Sequence, residues 1–416
     1  MVCVALALVG CSSNNNKDTS PIIISSNSNH ISPDDPTVVN EDLPLEPTDS
    51  VKDLLSTMSI DEKVGQLVVV GVDGTVINED SRRFIQEYHV GGFIFYKNNI
   101  ESTQQALLLF NELKSNNEVN KVPLWMSVDE EGGRVTRMPD ELLKLPNNKD
   151  IGIKNDAELS KEIGQILGRE LREFGLNMDF APVLDIHSNP KNPVIGDRSF
   201  GNQSTLVSTL GIATMHGLQS QGVVPVVKHF PGHGDTSVDS HIGLPIVEYD
   251  LDKLRKLELI PFQNAINQQA DVVMIAHLLI PKVDSEYPAS LSKIVISDIL
   301  RDELGFNGVV ITDDMTMGAI GENYDLKLAS VQSVLAGTNI VLVGHDVEKG
   351  VAVIQALTDA VENGKISEDM LNDRVYSILK LKEKYELSND PSNGPDVQSL
   401  NSDIQRILDK VSKANK

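Results

Sequence analysis

Asp239 and His241 stand two residues apart, and in an extended segment residues i and i+2 point the same way. A carboxylate placed there bonds one ring nitrogen, raises the imidazole pKa and leaves the other nitrogen to exchange a proton near neutral pH. The pair closes a stretch, residues 228–241, that reads KHFPGHGDTSVDSH. Within it Pro231, Gly232 and Gly234 let the chain bend sharply. Other polar side chains are concentrated in Asp129-Glu130-Glu131-Gly132-Gly133-Arg134, Asp185-Ile186-His187, Gly196-Asp197-Arg198-Ser199-Phe200, His277, Asp313-Asp314 and Gly344-His345-Asp346. One such group is unremarkable; as a set they carry the carboxylates and imidazoles of proton-transfer chemistry.

These groups need elements to hold them. Apolar runs rich in Val, Ile, Leu and Phe occupy residues 64–71, 90–96, 123–128, 177–184, 223–227, 271–276, 308–311 and 340–343, as expected for strands buried on both faces. Helical spacing appears between them, at 102–113, 157–174 and 206–221, and after the last, at 347–363 and 367–385. Such alternation predicts an α/β fold with a parallel sheet. Eight repeats predict closure into a single (β/α)8 TIM-type barrel, ahead of an open doubly wound sheet. The polar groups then follow strands three to eight, at the C-terminal face where barrels of this kind gather function. The division expected is a signal peptide at 1–10, a lipidated cysteine and tether at 11–50, the barrel at 51–386 and a tail at 387–416.

Lys228 through Thr236, with Asp239-Ser240-His241-Ile242-Gly243-Leu244-Pro245, closely resembles the signature of family 3 glycoside hydrolases in their β-N-acetylglucosaminidase branch. The blocks at 129–134 and 196–200 and Thr312-Asp313-Asp314-Met315 match further, so the resemblance spans about residues 51–386. It implies that Asp313 is the nucleophile, that Asp239 and His241 form the general acid/base, and that Asp129, Arg198, Lys228 and His229 bind sugar. Residue chemistry alone does not choose between Asp313 and Asp314. Related β-glucosidases take a carboxylate acid from a second domain. No such domain fits here, and the Asp239–His241 pair meets that need. The resemblance thus implies a retaining exo-β-N-acetylglucosaminidase, with terminal β-linked N-acetylglucosamine on wall-derived or chitin-type fragments as substrate.

Three rival readings differ in chemistry. His229, His233, Asp235, Asp239 and His241 have donor types that suit a divalent metal, but no His-x-His pair ends the first strand, so neither metal nor cofactor is expected. A histidine acid/base does not repel phosphate as a carboxylate would, which keeps phosphorolysis open. A non-catalytic binding lipoprotein is opposed by the presence of Asp313, Asp239 and His241 together.

The formal charge of −24, from 36 basic and 60 acidic side chains, argues against nucleic acid as a partner. Both cysteines, Cys3 and Cys11, lie in the first eleven residues, so the rest of the chain has no disulfide and no thiolate metal site. Residues 2–9 are almost wholly apolar, too short to span a bilayer, and look like the core of a signal peptide, although no Lys or Arg precedes them. Leu8-Val9-Gly10-Cys11 resembles the bacterial lipobox, which implies lipidation of Cys11. A Ser- and Asn-rich stretch and then a Pro-, Asp- and Glu-rich one follow, as a tether would. The expected location is outside the cytoplasmic membrane, held to it only by the N-terminal lipid.

Overall fold

A computed structural model of the chain describes residues 49–236, 239–240 and 243–413. The expected signal peptide, Cys11 and the tether to residue 48 lie outside the described residues, as does His241.

Eight strands form one parallel sheet: β1 (Val68–Gly71), β2 (Gly92–Phe95), β3 (Trp125–Val128), β4 (Met178–Asp179), β5 (Val224–Phe230), β6 (Val272–Ile275), β7 (Val309–Thr312) and β8 (Val341–Val343). The order β7-β6-β5-β4-β3-β2-β1-β8 is sequential around a ring. A parallel bridge between Ile311 and Ile340 joins its two ends. The seam is reinforced where the Thr312 N–H donates to Ile340 O at 3.0 Å and the Leu342 N–H donates to Thr312 Oγ1 at 3.0 Å. This is the expected (β/α)8 barrel. Nearly every strand residue is buried, because helices such as Ala157–Phe174, Ser204–Gln219 and Val347–Glu362 cover the outer face.

Two strands fill half of their apolar runs or less. The run at 64–71 yields only β1, because Ser59 and Glu62 form a reciprocal capping box that starts a helix at Ile60–Gln66. Val64 is then buried from a helix rather than a strand. The run at 177–184 yields only β4, because Pro182 has no N–H to give to a ladder. The chain nevertheless stays beside β5, with the Leu184 N–H donating to Lys228 O at 2.6 Å.

Lys382, on the helix Glu368–Lys384, closes the base of the barrel. Its buried ammonium donates to Gln66 Oε1 at 2.9 Å, Gly91 O at 2.9 Å and Pro123 O at 2.6 Å, so each of its three protons has an acceptor. Residues before β1, β2 and β3 are thereby tied together at the end opposite the polar clusters. The C-terminal helix Val397–Ser412 buries Leu400, Ile404 and Ile407, a spacing that lays one face along Ala157–Phe174.

Candidate active site

Consecutive strand ends supply side chains to one cavity of about 460 Å³ at the C-terminal mouth of the barrel. Asp129 reaches it from the end of β3, Arg198 from the loop after β4, Lys228 and His229 from β5 itself, and Asp313 from the end of β7. Asp239 lines the same cavity from the loop after β5. That loop folds back tightly. A Cβ on Gly234 would lie 1.7 Å from Ile186 O, and Gly232 has φ +128°, so glycine is required at both turns. Every sequence-predicted site residue that is described therefore meets the others here. His241 and Cys11 lie outside the described residues.

Two cations of the cavity, Lys228 and Arg198, are paired before any substrate arrives. Lys228 is 1% exposed, and its Nζ lies 2.6 Å from Asp129 Oδ1 and 2.7 Å from Glu131 Oε1. Glu131 in turn accepts a two-pronged bond from Arg198, at 2.8 Å from Nε and 2.7 Å from Nη2. Burial alone would raise the Glu131 pKa; the charges of Arg198 and Lys228 outweigh it and hold the carboxyl far below its usual range. Burial would likewise lower Lys228, and Asp129 and Glu131 overturn that. Glu131 was not singled out in the sequence, although it stands inside the 129–134 block. Its separate importance rests on a packing relation across strands that spacing does not show.

A second network sits beside the first. His229 Nδ1 lies 2.6 Å from Asp185 Oδ2, and a carboxylate in that place accepts, so Nδ1 carries the proton. Nε2, 3.4 Å from Arg198 Nη2, is thereby left as an acceptor. The other Asp185 oxygen accepts the His233 N–H at 2.6 Å. Burial acts to raise the Asp185 pKa, but the hydrogen bonds it accepts from His229 and from the His233 N–H help to outweigh it, and the carboxyl is held low. His233 is enclosed: Nδ1 meets Thr236 Oγ1 at 2.9 Å and Nε2 meets Ser240 Oγ at 3.1 Å. Burial, then the neighbouring His229, push its pKa down to about 4.

The two adjacent aspartates separate clearly. Asp314 Oδ1 accepts from Gly344 N, Thr316 N and Thr316 Oγ1 at 2.9, 2.9 and 2.8 Å. Its Oδ2 accepts from His345 Nδ1 at 2.9 Å and Tyr96 Oη at 3.3 Å. Asp314 therefore braces the ends of β2, β7 and β8 against one another. Asp313, one residue earlier, lines the same cavity as Asp314, and its Oδ1 accepts the Asp314 N–H at 2.8 Å. Arg137 also lines the cavity, with a buried Nε that has no hydrogen-bond partner. Sequence reasoning missed it; its position three residues past Arg134, at the end of the same acidic block, was the available signal.

Residues 59–381 match the family described as the glycosyl hydrolase family 3 N terminal domain. The chain belongs to this family. It is a glycoside hydrolase of the β-N-acetylhexosaminidase branch, as its relatives show. It is 34% identical over 334 residues to β-hexosaminidase A of Pseudoalteromonas piscicida, covering 74% of this chain and 56% of that protein's length. It is 32% identical over 330 residues to β-hexosaminidase LpqI of Mycobacterium tuberculosis, covering 77% of this chain and 82% of the relative. Among solved structures, a family 3 β-N-acetylglucosaminidase from Paenibacillus sp. str. FPU-7 superposes with a TM-score of 0.80 at 42% identity, over 86% of this chain and 70% of that one.

The Glu131 hub carries a pH signature. A carboxyl whose folded pKa is lowered contributes stability above its ordinary value of 4.5 and loses it as pH falls toward the lowered one. Glu131→Gln leaves Lys228 and Arg198 without their shared charge, at an expected cost of about 3 kcal/mol at neutral pH. In urea unfolding from pH 7 downward, the gap between wild type and Glu131→Gln should narrow below pH 4.5. A gap constant with pH contradicts the ion network.

Proposed function

We propose that the protein is a retaining exo-β-N-acetylglucosaminidase that works through a covalent bond to Asp313. The observation that carries this reading is that, of the adjacent pair Asp313 and Asp314 that line one cavity with Asp239, Asp314 has both carboxylate oxygens engaged in bracing three strand ends. The cavity lies within the ~300–1,000 Å³ typical of small-molecule sites. Family membership and relatives named β-hexosaminidase support the sugar and the bond cleaved.

In the first step an Asp313 oxygen bonds to the anomeric carbon as the glycosidic C–O bond breaks, and His241 gives its proton to the departing oxygen. In the second, His241 takes a proton from water, the water oxygen bonds to the anomeric carbon, and the Asp313 carboxylate leaves. Asp239 orients His241 and supports its charge. Asp129, Arg198, Lys228 and His229 grip the sugar hydroxyls and the acetamido group, with Arg137 as an additional donor. Their mutual pairing fixes them in place, so binding spends little on ordering side chains. Most retaining glycosidases use two carboxylates about 5 Å apart, and an imidazole acid departs from that arrangement. The aglycone suited to a surface-held enzyme is a wall-derived fragment in which N-acetylglucosamine is joined to N-acetylmuramic acid.

Trapping with a mechanism-based fluorosugar, followed by peptide mapping, tests the nucleophile. The label is expected on Asp313, and Asp313→Ala is expected to fold and to lose turnover. Label on Asp314, or near-normal turnover of Asp313→Ala, sinks the assignment. Running the same aryl glycoside assay with and without phosphate separates hydrolysis from phosphorolysis, and a phosphate-independent release of free N-acetylglucosamine is expected.

The location is proposed from sequence: the Leu8-Val9-Gly10 leader is removed and Cys11, lipidated, begins the mature chain. Mass spectrometry of the native N-terminus is expected to find a diacylated or triacylated Cys11. An unmodified Cys11 with the leader attached ends that proposal.

A further inference from the structure

Strand β6 delivers a side chain to the mouth of the barrel that none of the roles above uses. His277 follows β6 by two residues and is 0% exposed. Its Nδ1 lies 2.7 Å from Ser290 Oγ, and its Nε2 lies 3.0 Å from the main-chain oxygen of Asp314. Ser290 is equally buried, in the turn Ala289–Leu291. A carbonyl only accepts, so Nε2 must carry a proton. In the neutral ring Nδ1 is then the acceptor of the Ser290 hydroxyl, and the two partners together select one tautomer.

The carbonyl that His277 holds belongs to the turn that presents Asp313. Asp314 O also accepts the Met317 N–H at 3.0 Å, so both of its lone pairs are engaged. The N–H of the same residue donates to Asp313 Oδ1 at 2.8 Å. The N–H of Asp313 donates to Ile275 O, at the end of β6, at 2.9 Å. The turn is thus gripped from β6 at two points, once by the strand backbone and once by His277. Between those points lies the peptide unit that joins Asp313 to Asp314, whose orientation bears on where the Asp313 carboxylate faces. His277 is not among the described residues that line the cavity, so altering it removes no lining side chain.

We propose that His277 is a positioning residue for Asp313: its Nε2–H, kept in that tautomer by Ser290, fixes the Asp314 carbonyl and with it the aim of the Asp313 carboxylate. The proposal rests on Asp313 being the nucleophile. It predicts a loss in the chemical steps with little change in sugar binding, because the binding side chains stay where they are.

The test compares full-length wild type, His277→Ala, His277→Gln and Ser290→Ala. Turnover of an aryl β-N-acetylglucosaminide is measured together with the rate and binding constants for trapping by the fluorosugar. His277→Ala is expected to lower kcat and the trapping rate on the order of 10²-fold, the scale of a roughly 1 Å misplacement. KM and the fluorosugar binding constant should stay within about threefold. The Gln amide nitrogen stands in for Nε2–H, so His277→Gln should recover most of the loss. Ser290→Ala, which releases the tautomer, should fall between. Kinetic losses that only follow the folded fraction, or a Gln variant no better than the Ala variant, overturn the proposal. If His277→Ala does not fold, trapping of Ser290→Ala at the wild-type rate overturns it. Wild type labelled on Asp313 with all variants trapped at full rate refutes the positioning role alone. Wild type labelled elsewhere refutes the nucleophile and the positioning role together.

Discussion

The Lys228 ammonium is buried among carboxylates at the mouth of the barrel, and it sets the terms for its neighbours. With 1% of its surface exposed, it needs Asp129 and Glu131 at hydrogen-bond distance. Glu131, now carrying more than one cation's interest, draws Arg198 across from the loop after β4. Removing Glu131, which is shared by Lys228 and Arg198, leaves an excess of positive charge in a buried place. The site is therefore built by the fold before a sugar enters, and its geometry costs little at the moment of reaction.

The same constraint sorts the ionisable groups by what they are able to do. Asp185 is committed to His229 and to the His233 backbone, and Asp314 to three strand ends. His233 is bonded at both ring nitrogens, and burial pushes its pKa down to about 4, which favours the neutral ring at neutral pH. Among the imidazoles near the cavity, His229 has its proton turned toward Asp185. On the proposed mechanism the proton for the leaving oxygen comes from the loop after β5, where Asp239 stands at the cavity wall.

Much of this was legible in the sequence, and the parts that were not have identifiable causes. Eight apolar runs between helical patterns gave the barrel, because strands buried on both faces leave a plain hydrophobic trace. The lengths of β1 and β4 were not legible from apolarity, since a capping box at Ser59 and the missing donor of Pro182 decided them locally. Asp129, Arg198, Lys228 and His229 were readable as a group through their motif, and they do share one cavity. Glu131, Arg137 and His277 acquire their standing from partners more than thirty residues away or from an unpartnered buried atom, which sequence spacing does not reveal. Residue chemistry does not tell Asp313 from Asp314; the family resemblance points to Asp313, and in the folded chain the two differ in the hydrogen bonds they accept.

The identity of the proton donor is the point on which the account turns, and a leaving-group series measures it most directly. Aryl β-N-acetylglucosaminides of rising leaving-group pKa would be compared on wild type, His241→Ala and His233→Ala. The account predicts that His241→Ala loses about 10²–10⁴-fold on the poorest leaving groups and far less on activated ones, since protonation matters only where the departing oxygen needs it. His233→Ala should lose activity evenly across the series. A parallel loss for His241→Ala, with a steep dependence appearing instead in His233→Ala, would contradict the account.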